Sequence, residues 1–371
     1  MSDNTSDEEQ QQQMEEIFIC ADIWLDVFVF FSPRELGLNM ALISDRFDRL
    51  VDEHFKTRKW SLGTLQILRS TDGNGAKIVN STGERLPIPQ RPLPNKVIGF
   101  EWIEIRYIDR SVIEFLQRIG RLFNTSETNV VIYTFVDQSR SWDIIRQKIW
   151  PLISDNICGL RLDFADLDHL RQLSPTVLRN CTKLRSIEFQ GFSLELPADD
   201  SAGASSQQAL AKWLHTPRGD GRPKMIDCGA SAIGEQQLRR AFVNASEPAN
   251  FIIRQTPIFI GWIMLGGDAD EVQTFELKNN LTREQLTHRR EGWSWLFVRC
   301  PIERDEDKCA VWEKEAIAWS WFRQRNCIAI HFNNMDIGDG MLDANDEGPN
   351  KQQLIIPTDP IRDGGGQQIT G

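Results

Sequence analysis

The hydrophobic pattern near the N-terminus predicts short helices in quick succession. The run Ile23–Phe31 is interrupted only by Asp26, so a helix formed here is apolar on nearly every side. In Ser32-Pro33-Arg34-Glu35, the serine can cap free backbone N–H groups, the proline suits the first helical position and the glutamate completes a capping box. A second helix is therefore predicted to begin at Pro33.

Two further apolar patterns follow that start. The second helix carries two stripes, which are Leu36, Met40 and Ile43 on one face and Leu38 and Leu42 on another. A third helix, from about Asp45, has a single apolar face formed by Phe47, Leu50, Val51, His54 and Phe55. Three helices in about forty residues have too little interior to bury so much apolar surface. We therefore expect a partner or a neighbouring domain to cover part of it.

The N-terminal segment resembles the F-box. The matching residues are Asp22-Ile23, Phe31-Ser32-Pro33-Arg34-Glu35-Leu36, Ala41-Leu42-Ile43-Ser44 and Arg46-Phe47. Where the family usually has Leu-Pro before its first helix, this chain has Ile19-Cys20. A helical hairpin that merely packs on the rest of the chain is the alternative interpretation of the same pattern.

The resemblance implies a docking function. An F-box binds the Skp-type adaptor of a cullin-RING ubiquitin ligase, while the rest of the chain binds a client protein. We expect the adaptor-binding residues to be Trp24, Leu25, Phe28, Phe31, Pro33, Leu36, Leu42 and Ile43. The pattern leaves open which of the two apolar stripes of the second helix faces outward.

An apolar pattern recurs in the middle of the chain. Its four triplets are Phe100, Ile103, Ile105; Val130, Tyr133, Phe135; Ile157, Leu160, Leu162; and Leu184, Ile187, Phe189. Helix-like stretches at residues 111–123, 141–153 and 166–178 separate them. One strand and one helix per unit, at steps of 30, 27 and 27 residues, are typical of leucine-rich repeats. An ordinary α/β sheet with crossover helices fits nearly as well, and both favour parallel strands.

The C-terminal part predicts further strands and one helix. The strands are Phe251–Ile253, Val272–Leu277, Trp293–Arg299 and Cys327–Phe332, and the helix is Asp307–Gln324. On that helix Trp312, Ala316 and Trp319 share one face, which we expect to be core. The stretches at 279–282, 298–308 and 336–340 resemble the C-terminal region of an expanded group of nematode F-box proteins.

The chain is thus predicted to be α/β (α+β). A three-helix F-box-like module precedes an α/β domain, leucine-rich-repeat-like or an ordinary sheet, and a C-terminal mixed β/α region follows. The predicted segments are a disordered acidic and Gln-rich arm at 1–16, the F-box-like module at 17–60, a strand and Pro/Gly-rich linker at 61–95, the α/β repeat-like domain at 96–249, the C-terminal β/α region at 250–345 and a disordered tail at 346–371.

Composition narrows the function classes. A net charge of −11 argues against a nucleic-acid partner and an anionic membrane surface, because phosphate binding relies on concentrated Lys and Arg. The N-terminal apolar run carries Asp22 and Asp26, which is atypical of a membrane span or a signal peptide. Seven cysteines without a Cys-x-x-Cys pair favour reduced thiols. We therefore expect a soluble protein of the cytoplasm or nucleus.

Motifs for bond chemistry are missing from the sequence. It has no nucleophile elbow, no phosphate-binding P-loop and no His-Glu-x-x-His, and its five histidines are far apart. Cys300, Cys309 and Cys327 with His331 supply metal-type ligands without paired spacing, so we expect buried thiols. The basic doublets Arg239-Arg240 and Arg289-Arg290 suit an acidic or phosphorylated motif, although solvated surface charge is the commoner fate. We expect no enzyme activity, no cofactor and no metal.

The sequence therefore predicts a non-catalytic substrate-recognition subunit of an SCF-type cullin-RING ubiquitin ligase, with an unknown client bound by the α/β region. The alternative is a ligase-independent interaction scaffold of repeat type, in which the N-terminal helices only close one end of the stack. Removal of residues 1–60 separates the two, since it unfolds a capped scaffold and leaves the rest of an F-box protein folded.

Overall fold

The computed structural model describes residues 19–31, 35–55, 60–71, 73, 75–125, 127–135, 137–189, 194–229, 234–256, 258–260, 263–265, 274–303, 305–338 and 341. The arm predicted at 1–16, the tail predicted at 346–371 and the predicted cap at Ser32 and Pro33 lie outside the described residues.

Two helices and a π-helical turn form the N-terminal part of the fold. They are α1 at Ala21–Phe28, the π-helical turn at Leu36–Met40 and α2 at Asp45–His54. Ser44 has an extended backbone, and its hydroxyl accepts a hydrogen bond from the N–H of Phe47 at 3.4 Å, which caps α2. The predicted first and third helices are confirmed. The described part of the second is mainly a π-helical turn, which the apolar spacing did not predict.

The strands run through the rest of the chain. They are β1 at Trp60–Ser61, β2 at Thr64–Arg69, β3 at Ala76–Asn80, β4 at Arg85–Pro87, β5 at Val97–Gly99, β6 at Trp102–Ile105, β7 at Thr128–Ile132, β8 at Ile157–Leu162, β9 at Ser186–Phe189, β10 at Lys224–Gly229, β11 at Phe251–Thr256, β12 at Ile258–Ile260, β13 at Ile263–Leu265, β14 at Phe275–Asn279, β15 at Glu284–Glu291, β16 at Ser294–Pro301 and β17 at Cys327–Ile330. Thirteen of them form one sheet in the order β14-β15-β16-β11-β10-β9-β8-β7-β17-β6-β2-β3-β4.

The centre of this sheet is parallel and its margins are antiparallel. Strands β11, β10, β9, β8, β7, β17, β6 and β2 pair in parallel. Strands β16, β15 and β14 extend one margin and β3 and β4 the other in antiparallel fashion. The predicted mixed α/β class with parallel strands is confirmed.

Helices connect the parallel strands, which cannot be joined by short hairpins. They are α3 at Arg110–Arg118, α4 at Gly120–Thr125, α5 at Ser139–Ile144, α6 at Trp150–Ile153, α7 at Phe164–Arg171, α8 at Val177–Asn180, α9 at Ser206–His215 and α10 at Glu235–Val243, and α11 at Glu306–Ala318 follows β16. A second π-helical turn, Ile145–Ile149, joins α5 to α6.

Different helices pack on the two faces of the sheet. On one face Phe164 of α7 stacks on Phe189 of β9, with ring centroids 5.1 Å apart, and His215 of α9 meets Phe251 of β11 at 5.6 Å. On the other face Ala316 of α11 packs in a cluster formed by Met225, Ile252, Leu296, Val298 and Cys300, with Trp312 and Trp319 against it. The prediction that the tryptophan stripe is core holds for Ala316, against whose cluster the half-buried Trp312 and Trp319 pack. The helix ends at Ala318 and not at the predicted Gln324, so Trp319 lies just after it.

The order of the strands matches the predicted repeat only in part. Strands β7 to β11 are neighbours in sequence order, as in a repeat stack. Strand β17 lies between β6 and β7, and its Ile328 is in register with both Ile103 and Val130. The strands of the first two units are therefore not adjacent, as they would be in a repeat stack, because linear periodicity carries no signal for a strand that returns from about 200 residues away.

Two of the predicted segment boundaries, near residues 95 and 249, fall between strands of this one sheet. Strand β2, from the predicted linker, pairs with β6, and β11, from the predicted C-terminal region, pairs with β10. Described residues up to Met341 belong to one compact unit. The boundaries near residues 95 and 249 thus separate neighbouring strands and not separate sheets.

Candidate functional site

The N-terminal helices have an interior of their own. We call residues 19–31 and 35–55 the helical module. Trp24 of α1 meets Phe47 of α2 edge-on at 4.9 Å, and Phe28 meets His54 at 5.8 Å. Such aromatic pairs stabilise packing beyond the area that they bury. The module therefore holds its two helices together through an aromatic core.

Two of the eight residues predicted to bind an adaptor are buried. Phe28 and Leu36 are fully covered inside the helical module. Their side chains support the module surface from beneath and do not form it. Pro33, also predicted, lies outside the described residues.

The other predicted adaptor residues reach the surface to different degrees. Trp24, Leu25 and Leu42 are half-buried. Phe31 and Ile43 are exposed, the latter by 57 % of its surface. Neither of the two apolar stripes of the second helix faces outward as a whole, because Ile43 is exposed whereas Leu36 of the same stripe is buried.

Five large apolar side chains of the helical module face solvent. They are Ile23, Val29, Phe30, Phe31 and Ile43, which we call the exposed apolar set. Phe30 is 88 % exposed, because α1 ends at Phe28 and the next residues lie in the turn after it. Sequence reasoning missed Ile23, Val29 and Phe30, since a run that is apolar on every side does not indicate which side faces inward.

The entry to α1 has a defined backbone conformation. Cys20 has φ −67° and ψ 158°, and its side chain makes no capping hydrogen bond. This φ is the value that a proline ring fixes. Arg46 of α2 donates a hydrogen bond to the carbonyl oxygen of Ile19 at 2.5 Å. The entry is thus tied to α2 in a conformation that proline also adopts.

A second candidate surface lies on the sheet face that α11 partly covers. One register level across the strands carries a row of polar side chains, which are Gln66, Glu104, Arg161, Glu188, Asp227 and Arg254. Arg161 pairs with Glu188 at 3.1 Å, and Arg254 pairs with Asp227. Arg254 also donates to the carbonyl oxygens of Ile317 and Trp319, so the row fixes the C-terminal end of α11.

Toward the carboxyl ends of the parallel strands this face becomes aromatic. Tyr133 is 40 % exposed and Phe135 66 % exposed. The ring of Tyr133 lies 5.5 Å from that of His331 and 5.8 Å from the guanidinium of Arg161. We call these four residues the aromatic edge. A cavity of about 240 Å³ opens beside Tyr133, Phe135 and Arg161, at the edge where ligands of parallel sheets bind.

Charged groups border the aromatic edge. Nδ1 of His331 lies 3.2 Å from Oε1 of Glu104. Asp163 and Asp166 cap α7 reciprocally, each carboxylate accepting the N–H of the other at 2.8 and 3.0 Å, and both line the cavity. Burial raises the pKa of Asp166 to about 7. The charge of this carboxyl group therefore changes near neutral pH.

Each of the two basic doublets noted in the sequence has one arginine in an ion pair. Arg239 bonds Glu235 at 2.5 Å and lies over the ring of Phe275. Arg289 bonds Glu313 at 2.5 Å and so ties β15 to α11. Within the described ranges no three His, Cys, Asp or Glu side chains converge as metal ligands.

Comparison of the chain with protein-family models, with curated proteins and with solved structures finds no match in any of the three. Of the helices in the described part of the chain, none has the length and apolar content that crossing a membrane requires.

Proposed function

We propose that this chain is a non-catalytic substrate-recognition subunit of an SCF-type cullin-RING ubiquitin ligase in the cytoplasm or nucleus. On this proposal the helical module acts as an F-box that docks a Skp-type adaptor. The observation that carries the proposal is the exposed apolar set: a module whose interior is already filled by aromatic rings still presents Phe30 and Ile43 to solvent. Large apolar side chains concentrated on one small module mark a protein-binding surface.

The exposed phenylalanines are the expected anchors of this docking. Aromatic side chains that become fully buried at the centre of an interface contribute most of its binding free energy. Phe30 and Phe31 have surface left to bury, whereas Phe28 and Leu36 have none and only hold the module in shape. The adaptor face proposed here therefore contains Ile23, Val29 and Phe30 besides the predicted Phe31 and Ile43.

The backbone at Cys20 supports the same proposal. F-box sequences usually have proline at the entry to the first helix, and Cys20 holds the φ of −67° that proline would impose. The departure from the family pattern at this position thus changes the side chain and keeps the backbone conformation.

We place client binding at the aromatic edge. Tyr133 and Phe135 offer apolar contact area, while Arg161, Asp163 and His331 offer directional polar contacts beside the same cavity. Such a mixture of a few polar groups with aromatic rings is typical of protein recognition surfaces.

The proposed role requires no bond chemistry from this chain. A receptor that holds a client beside a ubiquitin-conjugating enzyme turns a reaction between two free molecules into one between tethered molecules. The chain contributes by raising the effective concentration of the client's lysines. Two separate binding surfaces are sufficient for that purpose.

The test is co-purification of the full chain with a Skp-type adaptor. Phe30→Asp combined with Ile43→Asp places charges in the exposed apolar set without touching the aromatic core, so we expect loss of the adaptor with an unchanged circular dichroism spectrum. Leu173→Asp is the matched control, because Leu173 is 42 % exposed outside the module. Failure of the wild-type chain to retain adaptor, or equal retention by all three proteins, contradicts the proposal.

A further inference from the structure

A cavity of about 230 Å³ lies at the amino ends of strands β9 and β10, opposite to the aromatic edge. Its lining includes Arg179 of α8, Trp213 of α9, Arg218 of the following loop and Lys224 of β10. A water molecule needs about 10–15 Å³ of such space, so the cavity has room for a larger polar guest.

Lys224 places a buried amino group at this cavity. Its side chain is 5 % exposed, and Nζ donates a hydrogen bond to the carbonyl oxygen of Trp213 and lies 4.8 Å from the centroid of the indole. Burial, with repulsion from Arg218 and Arg179, lowers the pKa of Lys224 to about 7. Among the described residues no carboxylate forms an ion pair with this ammonium group. Buried charges in proteins are normally paired.

Hydrogen bonds to carboxylates and to backbone carbonyl oxygens fix the two arginines in position. Arg218 bonds both carboxylate oxygens of Asp220, at 3.0 and 2.8 Å, and the carbonyl oxygens of Lys183 and Leu184, at 3.1 and 2.9 Å. Arg179 bonds Asp200 through two nitrogens. Both guanidinium groups are therefore preorganised at the cavity, and no aspartate or glutamate belongs to its described lining.

We propose that this cavity is a binding site for a small multiply charged oxyanion of the phosphate class, held by Lys224, Arg218 and Arg179. An oxyanion beside Lys224 supplies the counter-charge that the buried ammonium group lacks, and N–H groups of Arg218 and Arg179 that are not bonded to Asp220 and Asp200 can donate to its oxygens. Thr182 and Thr216 belong to the same lining. The site shares no residue with the adaptor surface, so the test of this inference does not depend on the outcome for the proposed function.

Another role for Lys224 is purely local. A lysine near the C-terminal end of α9 interacts favourably with the helix dipole and with the carbonyl group that it bonds. That role predicts that added phosphate leaves the stability of the protein unchanged relative to chloride. The two accounts therefore predict different effects of phosphate on Tm.

The experiment is thermal unfolding of the full chain in rising sodium phosphate, with sodium chloride at equal ionic strength as reference. We expect phosphate to raise Tm above the chloride reference, because a ligand that binds only the folded state stabilises it. Lys224→Met should remove this difference, and Arg218→Gln should reduce it if the first variant does not fold. Lys212→Met is the matched control, since Lys212 lines a different cavity, and it should keep the full response.

Two outcomes overturn the inference. One is a wild-type chain with the same Tm in phosphate and chloride, and the other is a folded Lys224→Met protein that keeps the whole phosphate response. A parallel titration with O-phosphoserine identifies the source of the oxyanion. A response to inorganic phosphate alone indicates a free ion, and a response to both extends the site to a phosphorylated side chain.

Discussion

At the scale of single residues, the margin of the sheet depends on one buried ion pair. Arg299 donates to Oε2 of Glu284 through two nitrogens at 3.0 and 2.6 Å, and to the carbonyl oxygen of Glu247 at 2.8 Å. The other oxygen of Glu284 accepts the N–H of Ala249 at 2.8 Å. Both side chains are nearly fully buried. Each side chain therefore provides the charge and the hydrogen-bond partner of the other, with almost no exposure to solvent.

Removal of either partner of this ion pair should lower the stability of the protein strongly. We expect Glu284→Ala to lower the free energy of unfolding by about 3–5 kcal/mol, because it leaves the guanidinium of Arg299 buried without its counter-charge. Urea unfolding measures the change. Glu276→Ala is the control, since its pair with Lys278 at 3.4 Å is exposed and should contribute less than about 1 kcal/mol. Similar effects of both substitutions would contradict this account.

The buried carboxyl group of Asp166 should make stability depend on pH. Burial raises its pKa from the usual 3.8 to about 7, so the folded state binds a proton that the unfolded state releases between about pH 4 and pH 7. Stability is then highest below that window and falls as pH rises through it. The difference corresponds to at most about 4 kcal/mol.

Asp166→Asn removes this titration and keeps an oxygen that can accept the N–H of Asp163. We expect the variant to lose less stability than the wild type between pH 5 and pH 8, so that its relative stability rises with pH. Urea unfolding of both proteins at the two pH values tests this. A constant difference between them would show that Asp166 is ionised throughout.

At the scale of elements, sequence patterns succeed where one face of a strand is apolar and buried. The triplets located β6, β8 and β9 because apolar residues at alternate positions, such as Ile103 and Ile105, are buried on one face. Of the second triplet only Val130 lies in β7, and Tyr133 and Phe135 lie beyond its end and are exposed. Strand β15 was missed because two of its inward-facing residues are Glu284 and His288. Polar residues at buried positions remove the alternation of apolar and polar residues that predicts a strand. The position of β17 was also beyond prediction, because it depends on pairing between distant segments.

The close approach of the segment after α11 to the sheet requires a glycine. A Cβ atom at Gly159 would lie 2.3 Å from Oδ1 of Asn129 and 3.3 Å from the ring of Trp321, which packs on Val131 and Cys327. We expect Gly159→Ala to lower the free energy of unfolding by about 1–3 kcal/mol through this overpacking.

Gly120→Ala is the control for this prediction, because a Cβ atom there meets nothing within 4 Å. Its effect should stay within about 0.5 kcal/mol. Urea unfolding compares the two variants. Equal stability of Gly159→Ala and wild type would show that the packing of Trp321 on the sheet is looser than described.

At the scale of the whole molecule, the two candidate surfaces belong to different parts of the chain. The exposed apolar set lies on the helical module and the aromatic edge on the sheet. An ion pair between Asp45 of α2 and Arg91, at 3.7 Å, joins two exposed side chains, and such pairs contribute little to stability. The sequence predicted the adaptor face through a resemblance, but only the packing of α1 on α2 showed which apolar residues remain outside.

The most direct test of the central claim is hydrogen–deuterium exchange of the full chain with and without a Skp-type adaptor. The account predicts slower exchange in residues 21–31 and 41–55 on adaptor binding and unchanged exchange in strands β6 to β10. No change in the helical module at saturating adaptor, or protection centred on the sheet, would contradict it.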